Sequence, residues 1–264
     1  MRSEPGRILF LLAHPDDEFA CSVPIRAMAR AGAEVHCAYL TDGGFGGQPV
    51  ARRRHESRRV LEGLGVPEGR SHFLGEWHGF PDGALHAWLD AALVALQDLV
   101  RQIGPLDRLY IPAWEGGHQD HDAVHLLGLV LAKQCGISVL RQFPLYHGAG
   151  LPGPLFKVLD PLPANGAVHS YRASWRERVL AVTVCLSYVS QWRTWVGLLP
   201  FVVLHMLMHG TFSEQDVDPA RVHEPPHPGP PLYERRGFMP SDRFSEAAAR
   251  FLATHGLAPL ERSA

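Results

Sequence analysis

The sequence predicts an α/β fold in which a mostly parallel sheet is covered by helices on both faces. Strands and helices alternate through the first 150 residues, and the strands are short, uninterrupted apolar runs, as expected for strands buried on both sides. Several of the helical segments stop at a glycine or at a Gly-Pro pair, a common end signal for a helix. The expected architecture is therefore a Rossmann-like three-layer sandwich.

The individual elements follow from the spacing of apolar residues. The predicted strands are 8–12, 34–40, 71–74, 109–112 and 139–146. The predicted helices are 19–31, 52–64, 85–103 and 120–135. The last helix is so apolar that it should be largely buried.

Beyond residue 150 the sequence becomes rich in turns. Residues 174–199 are predicted to form a helix, and the proline-rich residues 225–231 an extended loop. We interpret residues 1–150 as the core unit and residues 151–264 as an extension that completes the same domain and shapes the mouth of its site. The apolar run 195–208 contains Pro200 and is too short to span a membrane, so we expect a buried core helix. A hydrophobic lip that touches a lipid-linked substrate is the alternative.

Composition narrows the classes of function. A chain of 264 residues with 46% hydrophobic content can bury one substantial core. A net charge of -2 provides no field that would recruit nucleic acid or a membrane, so neither a nucleic-acid partner nor stable membrane insertion is expected. Cys21, Cys37, Cys135 and Cys185 have no paired spacing and predict buried free thiols in a reducing, cytoplasmic compartment. The composition is compatible with a homo-oligomer.

The most informative segment is His14-Pro15-Asp16-Asp17-Glu18, directly after the first predicted strand. One imidazole and three carboxylates meet where the backbone must turn, and a divalent cation would cancel charges that otherwise repel one another. His14 and Asp17 can point at one ion while Asp16 points elsewhere. An acidic helix cap is the alternative, but it does not explain the histidine.

A further ligand should come from the end of another strand, because a catalytic zinc site usually has three protein ligands. The segment His118-Gln119-Asp120-His121 follows the predicted strand 109–112 and opens the buried helix. His125 lies one turn further along and could compete as a ligand, although we expect it to lie behind the site. Taken alone, this segment could equally be an ordinary polar turn.

The two motifs resemble those of the PIG-L/LmbE-like superfamily of zinc-dependent N-deacetylases, which remove acetyl or related acyl groups from amino sugars. The resemblance covers roughly the first 150 residues and departs from the family at Gln119, where proline is usual. It implies that His14, Asp17 and His121 are the metal ligands. The implied cofactor is Zn²⁺, although the same donors accept Fe²⁺ or another divalent ion.

The resemblance also implies roles for the remaining residues of the two motifs. Asp16 would be the general base, and His118 would stabilise or protonate the transition state. Asp120 would hydrogen-bond His118 and keep it cationic. These roles suit amide hydrolysis, because a metal lowers the pKa of its bound water and an imidazolium can protonate the leaving amine.

Three residues outside the motifs are candidate substrate contacts. Arg53, on the helix after a glycine-rich loop, could reach a sugar hydroxyl or a phosphate. Trp114, in the loop after a strand, could stack on a sugar, and Tyr146 could hydrogen-bond a substrate carbonyl. The alternatives without a functional role are that Arg53 lies on a solvent-exposed helix face and that the two aromatic residues pack in the core.

The expected function is metal-dependent hydrolysis of an N-acetyl or other N-acyl group on a small amino sugar or glycoconjugate. An amidase acting on a thiol conjugate or on an acylated natural-product intermediate is the first alternative. A sugar-binding protein without catalysis is the second. A dinucleotide-dependent oxidoreductase is disfavoured, because the first strand is not followed by Gly-x-Gly-x-x-Gly.

Overall fold

The computed structural model describes residues 6–258. The strands are β1 (Arg7–Leu12), β2 (Glu34–Tyr39), β3 (Ser71–Phe73), β4 (Arg108–Pro112), β5 (Leu140–Phe143), β6 (Tyr146–His147), β7 (Lys157–Val158), β8 (Val168–Arg172) and β9 (Thr211–Asp216). The α-helices are α1 (Ser22–Arg30), α2 (Val50–Leu64), α3 (Leu74–His78), α4 (Leu89–Ile103), α5 (Gln119–Cys135), α6 (Trp175–Leu186), α7 (Trp192–Met208), α8 (Leu232–Arg235) and α9 (Ser241–Thr254).

The central sheet confirms the predicted α/β class. Its strand order is β3-β2-β1-β4-β5-β9-β8, and the strands from β1 to β5 pair in parallel. The helices between them cover both faces, because a parallel pairing needs a crossover connection. Strands β8 and β9 add an antiparallel edge that the sequence did not reveal. Strand β8 is exposed along its whole length, so it lacks the apolar run by which the other strands were recognised.

Alternate side chains of β1 separate the two helical layers. Ile8, Phe10 and Leu12 pack with residues of α1, α2, α6 and α7 on one face. Leu9 and Leu11 pack with residues of α4, α5 and α9 on the other. A strand buried on both sides presents successive side chains to opposite faces, which is why its sequence reads as continuously apolar.

Helix α5 lies closest to the sheet and confirms the expectation of a buried helix. Its residues are buried from Gln119 through Ala132, and it ends at Gly136 in the left-handed conformation. The close approach to β4 occurs at Gly128, where a Cβ atom would lie 2.3 Å from Cγ2 of Ile111. Glycine at position 128 therefore lets α5 pack closely against β4, so that the first turn of α5 lies next to the end of this strand.

The structure corrects several predicted elements. The predicted helix 19–31 begins only at Ser22, after a 3-10 turn over Asp17–Ala20. The predicted strand 139–146 ends at Phe143, and Tyr146 belongs to the separate β6–β7 ribbon. The predicted helix 174–199 is two helices joined by a 3-10 turn over Val189–Gln191. Cys135 is exposed, whereas the other three cysteines are buried free thiols as predicted.

The expectation of a buried core helix over 195–208 holds for one side of the helix only. This segment lies in α7, where Trp195, Leu198, Val202 and Met206 are buried but the opposite side of the helix is exposed. No helix within residues 6–258 combines the length and the apolar character needed to cross a membrane.

We expect Gly128→Ala to lower the free energy of unfolding by about 1–3 kcal/mol, because the added methyl group overpacks against Ile111. Gly63→Ala in α2 is the matched control, since a methyl group at that position would meet open space. That change should raise the free energy by up to about 1 kcal/mol through helix propensity. Denaturant titration measures both, and a Gly128→Ala protein as stable as the control would contradict the close approach.

Candidate active site

The three predicted metal ligands meet at the carboxyl ends of β1 and β4. Oδ2 of Asp17 accepts hydrogen bonds from the backbone N–H groups of Ala13 (2.9 Å) and His14 (2.8 Å). Its Oδ1 lies 3.1 Å from Nε2 of His121, the third residue of α5. One donor atom from each of His14, Asp17 and His121 lies within 4.8 Å of the others, and all three residues are buried. The chain thus brings these three side chains together as a group that could hold a metal.

A second, overlapping group contains a residue that the sequence did not suggest. His14, Asp82, His118 and Asp120 also offer donor atoms within 4.8 Å of one another. Nε2 of His14 lies 3.2 Å from both Asp82 Oδ1 and Asp120 Oδ2. Asp82 lies in the irregular loop between α3 and α4, and its only sequence signal is a Pro-Asp-Gly turn.

The electrostatics of this cluster favour a bound cation. Burial alone would lower the pKa of His14, but Asp82 and Asp17 hold it well above its usual value. Burial likewise opposes ionisation of Asp17, yet the imidazoles of His121 and His14 keep its pKa well below the usual range. The carboxylates around His14 therefore favour positive charge at this place. A divalent ion would supply the same positive charge, so the residues present fit a metal.

Asp16 stands beside the three ligands in an unusual backbone conformation. Its φ is 139°, a region that residues with a side chain rarely adopt. Its backbone N–H donates to Glu18 Oε2 at 3.1 Å, and its carboxylate lies 3.2 Å from Nη2 of Arg53. Burial raises the pKa of Asp16 to about 7 against the opposing charge of Arg53. The carboxylate is thus held in place and faces the cavity.

Glu18 holds the turn at Asp16 in place. It is fully buried, and its Oε1 accepts hydrogen bonds from the hydroxyl groups of Tyr39 (2.8 Å) and Tyr188. Burial raises the pKa of Glu18 to about 7 despite these bonds. Because Tyr188 follows α6, Glu18 connects the motif after β1 to the C-terminal half of the chain.

Arg53 lies in the wall of the cavity, and its side chain also makes many contacts with protein groups. The side chain is buried, and its five N–H groups face protein acceptors. Nε and Nη2 donate to the carbonyl of Pro15, Nη1 donates to the carbonyl of Gly43 and to Asp82, and Nη2 also faces Asp16. Arg53 therefore holds the loops of the site in place, and its contact with a sugar hydroxyl or a phosphate stays a prediction.

Asp120 does not make the predicted contact with His118. Its carboxylate accepts from the backbone N–H groups of Gly83 (2.6 Å) and Leu85 (3.0 Å) as well as facing His14. The backbone N–H of Asp120 instead donates to Nδ1 of His118 at 3.2 Å. Burial and the neighbouring His14 lower the pKa of His118 to about 3. His118 is therefore a neutral imidazole with its proton on Nε2, and not an imidazolium.

The structure corrects the prediction that Trp114 stacks on a sugar. Trp114 is 5% exposed, packs in the core against His125 and Phe244, and donates from Nε1 to the carbonyl of Glu224. It thus belongs to the α4–α5–α9 layer and is unsuited to stacking on a sugar. Nδ1 of His125 lies 2.8 Å from the carbonyl oxygen of Pro112, which agrees with a place behind the site.

Tyr146 lies at the cavity, as a substrate contact requires. The cavity has a volume of about 330 Å³, within the range of small-molecule sites, and Asp16, Asp17 and His14 lie in its wall. The ring of Tyr146 packs edge-on against His121, with centroids 5.4 Å apart. An apolar part of the wall is formed by Phe19, Phe45, Phe156, Trp195, Leu198 and Phe238, and polar side chains that include Arg53, Asp82, Gln48, Gln191 and Arg236 line the rest.

Two buried acids, Glu115 and Asp122, hold backbone N–H groups of Tyr146 and of neighbouring loop residues in place. The sequence did not predict either residue. Oε1 of Glu115 accepts from the backbone N–H groups of Leu145 and Tyr146, both at 2.9 Å. Oδ1 of Asp122 accepts from the N–H of Gly116 at 3.2 Å. Burial raises the pKa of Glu115 to about 8 and that of Asp122 to about 7. Isolated acids in a loop and a helix carry no motif, so only the fold reveals this role.

Glu115 should make the protein less stable as the pH rises. Because its pKa is raised from 4.5 to about 8, the folded state keeps a proton that the unfolded chain loses in this interval. The stabilisation that this retained proton gives is complete below the unfolded pKa of 4.5 and is lost as the pH rises through the folded pKa of about 8. Glu115→Gln keeps the acceptor oxygen but cannot ionise. Chemical denaturation at about pH 5 and about pH 8 should show a smaller loss of stability in the variant than in the wild type. Equal losses would contradict the assignment.

Comparison with known proteins agrees with this geometry. The family model described as PIG-L, GlcNAc-PI de-N-acetylase, matches residues 9–132, which include both motifs. The chain is 30% identical over 131 residues to the uncharacterized deacetylase YaiS of Escherichia coli (strain K12), an alignment that covers 48% of this chain and 68% of that protein.

Solved structures share the fold at lower identity. A deacetylase triple mutant from the teicoplanin biosynthetic pathway has a TM-score of 0.62 at 19% identity, with 80% of this chain and 98% of that chain covered. The N,N'-diacetylchitobiose deacetylase from Pyrococcus horikoshii, complexed with its inhibitor MPG, has a TM-score of 0.57 at 18% identity, with 81% and 83% covered. On the family match and the YaiS alignment, this chain belongs to the PIG-L family of de-N-acetylases.

Proposed function

We propose that this protein is a zinc-dependent N-deacetylase that removes an acetyl or related acyl group from an amino-sugar-containing small molecule. The observation that carries the proposal is the convergence of His14, Asp17 and His121 beside Asp16 at the wall of one cavity. Two imidazoles and one carboxylate form a donor set that suits catalytic zinc. Fe²⁺ or another divalent ion is the alternative that the same donors accept. A cytoplasmic location remains a prediction from the cysteine pattern.

His14, Asp17 and His121 would hold the metal. When bound, such an ion polarises the amide carbonyl and lowers the pKa of a neighbouring water molecule. Asp17 also accepts two backbone N–H groups through Oδ2, so its carboxylate is oriented before any ion arrives. Preorganised ligands of this kind keep the site in one geometry.

Asp16 is the general base in this proposal. Its carboxylate takes a proton from the attacking water and passes it to the amide nitrogen as the C–N bond breaks, so that one carboxylic acid and one amine leave. Arg53 fixes the carboxylate from one side, and Glu18 fixes the backbone N–H of Asp16 from the other. Both contacts hold the base where the proton is transferred.

His118 supplies a hydrogen-bond donor instead of a cationic acid. Since Nδ1 accepts the N–H of Asp120, the neutral ring carries its proton on Nε2. That N–H would donate to the oxygen that becomes negative as the carbonyl is attacked. Tyr146, on the same cavity wall, is the proposed contact for the substrate carbonyl or a sugar hydroxyl.

The apolar part of the cavity indicates the form of the substrate. Phe156, Trp195 and Leu198 lie away from the charged cluster in sequence yet line the same space. A free amino sugar offers little apolar surface to them, whereas an apolar aglycone would bury surface at about 25 cal/mol per Å². We therefore propose that the amino sugar is presented with an apolar substituent.

The substrate prediction is tested by measuring amine release from N-acetylglucosamine, a nucleotide-linked form and an aryl or alkyl N-acetylglucosaminide. We expect the highest kcat/KM with the apolar glycoside. Asp16→Asn should lose at least about a hundredfold in kcat, the usual scale of general-base catalysis. Chelated wild type should lose activity because the metal no longer polarises the amide carbonyl or activates water. Unchanged turnover in Asp16→Asn would contradict the role of the base. Zinc-loaded protein inactive on the whole panel would contradict the substrate class.

Arg53→Lys separates positioning from substrate binding. Lysine cannot reproduce five directed donors, so Asp16 loses its fixed orientation and kcat should fall roughly tenfold or more with little change in KM. Arg52→Lys on the same helix is the control, since that side chain is exposed and, within residues 6–258, forms an ion pair with Glu56 alone. A rise in KM confined to phosphorylated substrates, with kcat unchanged, would restore the phosphate-binding role.

A further inference from the structure

Helix α7 has an apolar outer side that is largely exposed in the described part of the chain. Its exposed residues follow a helical stripe, with Trp192, Val196, Leu204, Leu207 and Met208 each more than half exposed. Leu186 and Val189, at the end of α6 and in the connecting turn, are both 59% exposed and lead into this stripe. We refer to these seven residues as the α7 face. Apolar patches of this extent usually mark a binding surface.

The charge pattern of the α7 face distinguishes between partners. From Val179 to Ser213 the sequence has no Asp, Glu or Lys, and its one arginine is Arg193. That side chain is exposed, and its guanidinium lies 5.5 Å from the ring centroid of Trp192. Tryptophan beside a basic residue on an apolar helix is typical of helices that lie in the interface of a membrane.

The α7 face is continuous with the mouth of the active-site cavity. The inner side of the same helix contributes Thr194, Trp195 and Leu198 to the cavity wall. Phe45 and Phe238 also line the cavity; they are 54% and 49% exposed, and their ring centroids lie 6.2 Å apart in an edge-on arrangement. Apolar groups thus extend from the cavity wall onto the outer surface.

We propose that the α7 face docks the protein on an anionic lipid surface, with the helix parallel to the membrane plane. A second copy of the chain is the less suitable partner, because a two-fold contact would bring the two Arg193 side chains to one interface and residues 179–213 contain no carboxylate to pair with them. Anionic headgroups supply the missing charge, and the acyl region accepts Leu204 and Leu207. The proposal extends beyond hydrolysis, since docking requires no turnover.

Vesicle co-sedimentation of the full chain tests the proposed docking of the α7 face on lipid. Wild type should bind phosphatidylcholine vesicles containing phosphatidylglycerol, and bind more weakly to phosphatidylcholine alone or at high salt. Leu204→Glu should reduce the partition coefficient at least about tenfold, because a carboxylate enters the contact. Arg193→Glu should remove the preference for anionic vesicles.

Val94→Glu is the matched control. Val94 is 55% exposed on α4, which packs on the opposite face of the sheet, so this change should leave vesicle binding as in the wild type. Circular dichroism checks that each variant is folded. Absence of wild-type binding, or equal binding of Leu204→Glu and wild type, would overturn the proposal. So would a concentration-dependent dimer in light scattering that Leu204→Glu dissociates, since a second copy would then cover the α7 face.

Discussion

The concentration of buried carboxylates around His14 is the constraint on which the rest of the site depends. Asp17, Asp82 and Asp120 all face this imidazole, and Arg53 is the neighbouring guanidinium that offsets part of their charge. Buried like charges are costly unless a cation or a proton balances them. The folded chain therefore creates a site whose occupation by a divalent ion is favoured by its own electrostatics. The parallel sheet makes this possible because the ends of β1 and β4 lie side by side.

The second constraint is the strained turn at Asp16. A φ of 139° persists only where the surroundings determine it. Glu18 binds the Asp16 N–H and is itself bound by Tyr39 and Tyr188, so the turn is fixed by β2 and by the segment after α6. The C-terminal half thereby stabilises the geometry of the motif as well as lining the cavity.

Much of the fold and the centre of the site could be predicted from sequence, because both depend on local patterns. The continuous apolar run of β1 and the cluster His14-Pro15-Asp16-Asp17-Glu18 each occupy a few successive residues. What escaped prediction depends on contacts between distant segments. Asp82 and Glu115 are single acids in loops, and β8 has no apolar periodicity. Arg53 lies in the cavity wall, whereas Trp114 packs in the core and donates to the carbonyl of Glu224, a contact between distant segments that the sequence could not reveal. The exposed side of α7 was misjudged because an apolar run alone does not say which side is covered.

The most direct test of the central claim is the metal content of the purified protein after zinc loading and dialysis, measured by elemental mass spectrometry. Wild type should retain one zinc per chain. His121→Ala should lose it, because one of the three converging donors is removed. His125→Gln, one turn further along α5, should retain it, since that ring contacts the carbonyl of Pro112. Zinc retained equally by His121→Ala, or no zinc in the folded wild type, would contradict the assignment of the site.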